Sequence, residues 1–432
     1  MKQANYIACI MLVIIALSGC SREKIQYADT YISEQDMQYT HYQNAYGAGM
    51  NTVETEKGYY KLVNKFLYFI DKETMSTVPL CDKAECLHDQ ETPEKKQNCD
   101  AYTGSDENGQ LFYDGTFLYV LRDVYDKEKN RYVKELWHIS MDGTTKDRVY
   151  TFPEGEEIFR WILHRGTVYY VTEEEGENEK LHKVWKCFSL KDTKSVKTID
   201  VFNDIYNGDV QTLQAYGNYV YLYILGFNED IESDLTQKWT TTMENHWVCY
   251  NIVTGETKEL FADQKEDGKT IKIIQSIHFW KDKLLAKYVY MDEKAQKSEE
   301  IGQIYQYQLD GSQKEKLLKA EDQYDKFCTD ENYLYVYNFW RKSVDAGKEK
   351  PKMTVYDKQG NQVDEMEMPM NAYADMEGGS SDCFLWDMQT EEKMAIVYID
   401  KSKIGTYQGK KMEAVGCYEA KVDTEFIEKT EE

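Results

Sequence analysis

A turn followed by a tyrosine-rich β run recurs about every fifty residues, and this repeat constrains the fold more than any other feature of the sequence. Five copies are clear, at 114–120, 165–170, 217–221, 281–285 and 331–336. Each is followed by a second aromatic and β-branched run, at 136–143, 184–190, 246–250, 304–311 and 353–357. Most of the second runs end in an Asp-Gly, Thr-Gly or Gln-Gly turn. Runs of this composition bounded by Gly, Asn and Asp are typical of antiparallel strands joined by hairpins.

About four short strands per repeat predict an all-β fold, a β-propeller in which blades stack radially around an axis. Residues 58–80 supply a first blade and residues 383–420 a more degenerate last one. We therefore predict seven four-stranded blades over residues 51–432, with six blades and an irregular closure as the alternative. Two β-sandwiches would not produce a near-constant period, and no long stretch has helical periodicity.

The amino terminus has a short apolar run that is closely followed by Cys20. Its apolar run, 7–17, follows Lys2 and is too short for a spanning helix, which needs about 20 apolar residues. Leu17-Ser18-Gly19-Cys20 then resembles a lipobox, in which the chain is cleaved before a cysteine that becomes lipidated. We expect residues 1–19 to be the signal peptide and Cys20 to carry the lipid, which gives stable anchoring with two acyl chains. Residues 20–50 form a tether, compatible with an outer strand of the domain near 38–45.

The charge balance excludes some partners. The chain has 52 Lys and Arg against 77 Asp and Glu, a formal net charge of −25. Nucleic-acid binding and polybasic docking on anionic lipid both need a basic face, so neither is expected. Apolar residues make up 41% of the sequence, enough for a large core.

The lipobox and the tyrosine-rich repeat together resemble the TolB-like β-propeller lipoproteins of bacteria. Because the repeat is a structural motif, the resemblance implies a fold and a location without a reaction. It implies an extracytoplasmic protein attached to the cell membrane by its N-terminal lipid.

A cysteine-rich segment, 81–99, is the most specific local signal. Its four candidate ligands are Cys81, Cys86, His88 and Cys99. Three thiols and an imidazole suit a tetrahedral Cys₃His zinc site, and we expect at most one structural zinc ion and no other cofactor. The spacing also resembles an element of other propeller lipoproteins. A disulfide, such as Cys86 with Cys99, is the alternative in an oxidising exterior, and a redox or catalytic role is a third. The remaining cysteines of the domain fall mostly inside strand patterns and are expected to pack in the core.

Most of the long insertions fall in the links that join the second to the third strand of a blade and one blade to the next. These links emerge on one face, and loop-bearing faces of rigid scaffolds usually carry binding sites.

Hydrolase, metalloprotease, phosphate-loop and dinucleotide motifs do not occur in the mature sequence. We therefore predict a binding or scaffold module that recognises a protein, a peptide or a cell-wall glycan, with Trp239 as a candidate anchor. The alternative function is a surface glycan hydrolase or lyase that uses carboxylates near the propeller channel.

Overall fold

The structure is a computed structural model of the chain. It describes residues 51–418 except for 64, 72, 75, 87, 89–96, 106–108, 128–129, 176–180, 203–208, 228–242, 262–263, 267–268, 281, 291–298, 330–331, 339–346, 368–375, 380–382, 390–393 and 411–413. The described strands form seven antiparallel sheets, numbered here in chain order.

The first three sheets each contain four strands. Sheet 1 is β1 (Thr52–Glu54), β2 (Gly58–Val63), β3 (Phe66–Asp71) and β4 (Thr77–Pro79). Sheet 2 is β5 (Phe112–Tyr113), β6 (Leu118–Asp126), β7 (Arg131–Ile139) and β8 (Lys146–Thr151). Sheet 3 is β9 (Arg160–His164), β10 (Thr167–Glu175), β11 (Leu181–Ser189) and β12 (Asp192–Phe202).

The fifth sheet differs from its neighbours by one strand. Sheet 4 is β13 (Asp209–Tyr216), β14 (Tyr219–Phe227), β15 (Met243–Asn251) and β16 (Thr257–Phe261). Sheet 5 is β17 (Gln264–Glu266), β18 (Lys269–Trp280), β19 (Lys283–Tyr290), β20 (Gln303–Gln308) and β21 (Glu315–Lys319). Sheet 6 is β22 (Lys326–Thr329), β23 (Leu334–Tyr337), β24 (Lys352–Tyr356) and β25 (Gln362–Glu367). Sheet 7 is β26 (Met376–Gly379), β27 (Cys383–Gln389), β28 (Met394–Asp400) and β29 (Ala414–Tyr418).

The predicted all-β propeller is confirmed. Six sheets have the predicted four strands, whereas sheet 5 gains the short strand β17, which pairs with β18. Within every sheet the strands follow one another in chain order, and β29 of sheet 7 contacts β4 of sheet 1. Among the described residues, therefore, the ring closes without exchange of a strand between its first and last sheets. No helix in the described part of the chain has the length and apolarity to span a membrane.

The core lies between adjacent sheets. Large aromatic side chains fill it, among them Trp161, Trp185 and Trp247, each 1% exposed or less. One apolar cluster joins sheets 2, 3 and 4, and another joins sheets 4 and 5. Alternate residues of each strand thus pack against the blade before and the blade after, which explains why both faces of the strands are rich in aromatic residues.

The turn glycines of the repeat mark contacts between sheets. Gly143 and Gly311 have φ of 77°, in the left-handed region that favours glycine. A Cβ atom on Gly143 would lie 2.7 Å from the Leu80 carbonyl oxygen of the preceding sheet, and one on Gly311 would lie 2.6 Å from a Leu260 methyl group. Glycine therefore suits these Asp-Gly turns for two reasons: the left-handed backbone conformation and the close approach of the neighbouring blade.

Tyrosine hydroxyls cross the same interfaces. Tyr60 donates a hydrogen bond to the Met141 carbonyl oxygen at 2.9 Å, and Tyr221 donates one to the Leu309 carbonyl oxygen at 2.8 Å. In both cases the acceptor lies two residues before the turn glycine of the next sheet. The tyrosine side chain of one blade thus fixes the turn of the following blade.

A loop of sheet 7 is fastened to sheet 6 through Asp364. This carboxylate is 5% exposed and accepts hydrogen bonds from the backbone N–H groups of Gly405, Tyr407 and Gln408 at 2.6, 3.1 and 2.8 Å. Burial raises the pKa of Asp364, but these donors outweigh it and lower the pKa below its ordinary value. The carboxylate therefore holds residues 405–408 against the outer edge of β25.

Candidate metal centre

The cysteine-rich segment connects β4 of sheet 1 to β5 of sheet 2. Its entry is fixed by the N–H group of Leu80, which donates to the Leu67 carbonyl oxygen at 2.9 Å. A turn closed by the Cys86 N–H group on the Lys83 carbonyl oxygen, at 3.0 Å, then returns the chain toward Cys81. His88 has a φ of 52°, so its backbone is in the left-handed region.

The structure brings all four predicted ligands together. The Sγ atoms of Cys81, Cys86 and Cys99 and a ring nitrogen of His88 lie within 4.8 Å of one another. The Cys99 Sγ atom is 3.6 Å from His88 Nδ1. Cys99 is 1% exposed, and the other three side chains are half-buried. All three cysteines are free thiols, so four donor atoms converge on one point.

Lys83 holds the two arms of the segment together. Its Nζ atom donates to the Asn98 carbonyl oxygen at 2.6 Å and lies 2.7 Å from the Asp100 carboxylate. Lys83 belongs to the arm that carries Cys81 and Cys86, whereas Asn98 and Asp100 flank Cys99. The lysine therefore positions the fourth ligand relative to the first two.

Backbone N–H groups point at two of the sulfur atoms. Burial raises the pKa of Cys81, but hydrogen bonds from the N–H groups of Lys83 and Asp100 outweigh it and lower the pKa. Burial is the largest of the causes that raise the pKa of the Cys99 thiol to about 12, and the neighbouring Cys86 and Cys81 contribute to the increase. A hydrogen bond from the N–H group of Ala101 opposes it. Cys81 and Cys99 each receive an N–H group from the residue two positions later. Such donors stabilise a thiolate and orient it, which is the role of a second shell around a metal.

The donor set fits zinc. Zn²⁺ favours four-coordinate tetrahedral sites of Cys sulfur and His nitrogen, and sites with four protein ligands are structural because no position stays open for a substrate. Three sulfur atoms and one imidazole nitrogen meet this requirement without a ligand from outside the chain. Hard cations such as Mg²⁺ and Ca²⁺ prefer oxygen ligands, which this cluster lacks.

The segment also packs on both sheets that it connects. Toward sheet 1, the Leu67 N–H group donates to the Ala101 carbonyl oxygen at 2.8 Å, and Thr103 donates to the Lys65 carbonyl oxygen at 2.8 Å. Phe66, Cys99 and Ala101 form a small buried apolar cluster there. Toward sheet 2, Lys146 Nζ donates to the Tyr102 carbonyl oxygen at 2.6 Å, and Ser105 forms a β-bridge with Arg122. The cysteine cluster therefore lies within a connecting segment that contacts both sheets.

The other predicted site residues lie elsewhere. Cys20 and Trp239 are outside the described residues, so lipidation and the ligand anchor remain predictions. Cys187, Cys249 and Cys328 are buried in strands, as expected for packing residues. Sequence reasoning missed the supporting contacts of Lys83 and Lys146, because neither residue belongs to a recognisable motif.

Comparisons with known proteins show similarity of fold alone. No protein-family profile matches the chain, and no curated protein matches it. A structure from a study of two prolyl endopeptidases aligns at 13% identity with a TM-score of 0.51, over 88% of this chain and 51% of that one. The chain thus spans about half the length of that prolyl endopeptidase.

Two further structures align with lower scores. The β-propeller domain of the Trilobed protease from Pyrococcus furiosus aligns at 12% identity with a TM-score of 0.43, over 66% of this chain and 78% of that one. TolB from Acinetobacter baumannii aligns at 12% identity with a TM-score of 0.34, over 83% and 79%.

Proposed function

We propose that Cys81, Cys86, His88 and Cys99 bind one structural zinc ion that fixes the link between sheets 1 and 2. The observation that carries this proposal is the convergence of their donor atoms within 4.8 Å. When bound, zinc supplies a closed tetrahedral centre and no catalysis. The backbone N–H donors orient the thiolates, and Lys83 links the part of the segment that carries Cys81 and Cys86 to the part that carries Cys99.

Zinc at this position would stabilise a connection that cannot form a core of its own. Among its described residues, this segment contributes Cys99 and Ala101 to a small buried apolar cluster that also contains Phe66 of β3. A metal that binds only the folded state adds its binding free energy to folding. The proposed ion therefore holds residues 99–105 in the position from which they contact both sheets.

Metal analysis tests the zinc proposal. The full chain, purified under reducing conditions without chelators, is expected to contain one zinc ion per molecule. Cys86→Ser should lose most of the zinc, whereas Cys187→Ser, at a buried cysteine of β11, should keep it. If Cys86 and Cys99 form a disulfide instead, chain purified without reductant will contain no zinc. Titration of its thiols after unfolding will then detect two fewer thiols than the same titration after reduction.

We further propose that the chain is an extracytoplasmic lipoprotein, anchored to the bacterial membrane through Cys20, whose propeller binds a partner on its loop-bearing face. The lipobox supports the anchor. The ring supports the binding role because corresponding loops of its blades emerge on one face. The loop between β2 and β3 and the loop between β6 and β7 are two of these loops. The partner is a protein, a peptide or a cell-wall glycan.

Two measurements test the location and the binding role. Radiolabelled palmitate should be incorporated into the wild-type chain and not into Cys20→Ser, and the variant should move from the membrane to the soluble fraction. Glycan and peptide arrays probed with the full chain should then show a specific ligand. Hydrolysis or cleavage of an arrayed glycan would instead support a surface glycan hydrolase or lyase.

A further inference from the structure

A second cluster of chemically active side chains lies on the face of sheet 5 that packs against sheet 4. We call it the tyrosine–lysine cleft and define it by Lys272, Tyr288, Glu300, Tyr305 and Lys314. Tyr305 belongs to the apolar cluster shared by sheets 4 and 5. Lys314 is exposed and Glu300 is 37% exposed, so the cleft opens to solvent. It is separate from the candidate metal centre, which lies between sheets 1 and 2.

Two lysines share one aromatic ring in this cleft. The Lys272 and Lys314 ammonium groups lie 4.4 and 4.6 Å from the centroid of the Tyr288 ring. Lys314 also lies 3.9 Å from the Tyr305 ring centroid. Cation–π contacts of this length attract each ammonium to its ring. Both positive charges thus lie beside the same tyrosine ring.

Among the described residues, the lysines of the cleft outnumber its carboxylates. Glu300 is the carboxylate that faces the two lysines among the described residues, and its Oε2 atom is 3.6 Å from Lys272 Nζ. Burial and the charges of Lys272 and Lys316 lower the pKa of Lys314, and Glu300 offsets only part of this decrease. The chain as a whole has a net charge of −25, so a local excess of positive charge is unusual here. An anion in the cleft would relieve the repulsion between the ammonium groups.

The cleft also presents buried hydroxyl groups. Tyr305 and Tyr307 are 2% and 4% exposed, and the Tyr307 hydroxyl lies beside that of Tyr288. The Tyr305 hydroxyl lies near enough to Glu300 for that carboxylate to help raise the pKa of the tyrosine, after burial. Phe261 of sheet 4 packs against Tyr307, with the two ring centroids 5.1 Å apart. Tyrosine hydroxyls are hydrogen-bond donors, so they favour a ligand with acceptor oxygens.

We propose that the tyrosine–lysine cleft binds a phosphate group, free or as an ester. A phosphate has close to two negative charges and three strong acceptor oxygens, which match two ammonium groups and the neighbouring tyrosine hydroxyls. Lys272 and Lys314 would bind its oxygens, and Tyr305 would donate to one of them. Glu300 would accept a hydrogen bond from a hydroxyl group beside the phosphate when the ligand is an ester.

Calorimetric titration of the full chain in detergent tests this proposal with two probes, inorganic phosphate and glycerol 3-phosphate. Both should bind, and the tighter one shows whether the natural ligand is a free ion or an ester. Lys314→Gln should weaken binding by about tenfold, which corresponds to about 1.4 kcal/mol. Tyr305→Phe, which keeps the ring and removes the hydroxyl, should weaken it by several-fold.

Lys350→Gln is the matched control. Lys350 is 73% exposed and pairs with Glu367 on sheet 6, so the substitution makes the same change in net charge away from the cleft. It should leave both affinities unchanged. Equal affinities for the Lys314→Gln and Lys350→Gln variants, or no saturable binding of either probe to the wild-type chain, would overturn the proposal.

Discussion

Single tyrosine hydroxyls set the position of neighbouring blades. Tyr221 is fully buried, and its hydroxyl donates to the Leu309 carbonyl oxygen of the next sheet. Removing the hydroxyl leaves that buried carbonyl without its donor, and an unsatisfied group of this kind costs about 1–3 kcal/mol. We therefore expect Tyr221→Phe to lower the free energy of unfolding by that amount in urea titrations. Tyr132→Phe, at a side chain 70% exposed, should change it by less than about 0.5 kcal/mol.

A buried histidine should make the fold sensitive to acid. Burial and the charges of Lys326 and Lys287 lower the pKa of His278 to about 3, against about 6.5 in the unfolded chain. Between these values the unfolded chain binds a proton that the folded chain does not. Stability should therefore fall as the pH drops below about 6.5, by at most about 1.4 kcal/mol per pH unit from this residue.

The comparison of His278→Phe with the wild-type chain isolates this residue. His278 packs on Phe327 at a ring distance of 4.5 Å, so an aromatic replacement preserves much of the contact. Urea midpoints measured from pH 7 to pH 4 should fall less steeply for the variant. Parallel pH profiles for His278→Phe and the wild-type chain would contradict the account.

At the scale of elements, one carboxylate attaches the loop of sheet 7 to sheet 6. Asp364→Asn removes the charge that accepts the N–H groups of Gly405, Tyr407 and Gln408. Because hydrogen bonds to charged groups are worth about 1.5–3 kcal/mol, we expect a loss of about 3 kcal/mol and faster proteolysis within residues 401–410. Asp357→Asn, in an exposed turn that bonds Gln359 and Asn361, should have a much smaller effect. Equal proteolysis of the two variants would argue against the role of Asp364.

The elements that repeat were predictable from the sequence, and those that do not repeat were missed. The hairpin turns and aromatic runs recur, so the strands of sheets 2 to 6 could be placed from local patterns. Strand β17, with three polar or charged residues, has no such pattern, and the fifth strand of its sheet was not predicted. The four ligands of the cysteine cluster lie close in sequence, so their spacing revealed them. The contacts of Lys146 with Tyr102 and of Asp364 with residues 405–408 join distant segments and leave no local signal.

At the scale of the whole molecule, the ring closes between its two terminal sheets. In the described part of the chain, sheets 1 and 7 meet through β4 and β29 without sharing a strand. Sheet 7 is also attached to sheet 6 by the loop at Asp364, and sheet 1 is attached to sheet 2 by the segment that contains the cysteine cluster. The proposed zinc ion would thus stabilise the position of the first sheet in the ring, because metal binding to the folded chain adds to its stability.

X-ray absorption at the zinc edge, on the full chain purified under reducing conditions, tests the zinc proposal most directly. The account predicts three sulfur neighbours at about 2.3 Å and one nitrogen neighbour at about 2.0 Å from the metal. In Cys86→Ser, any zinc that remains should show fewer sulfur neighbours. A shell of oxygen and nitrogen alone, or a chain that binds no zinc under these conditions, would contradict the assignment of Cys81, Cys86, His88 and Cys99 as a metal centre.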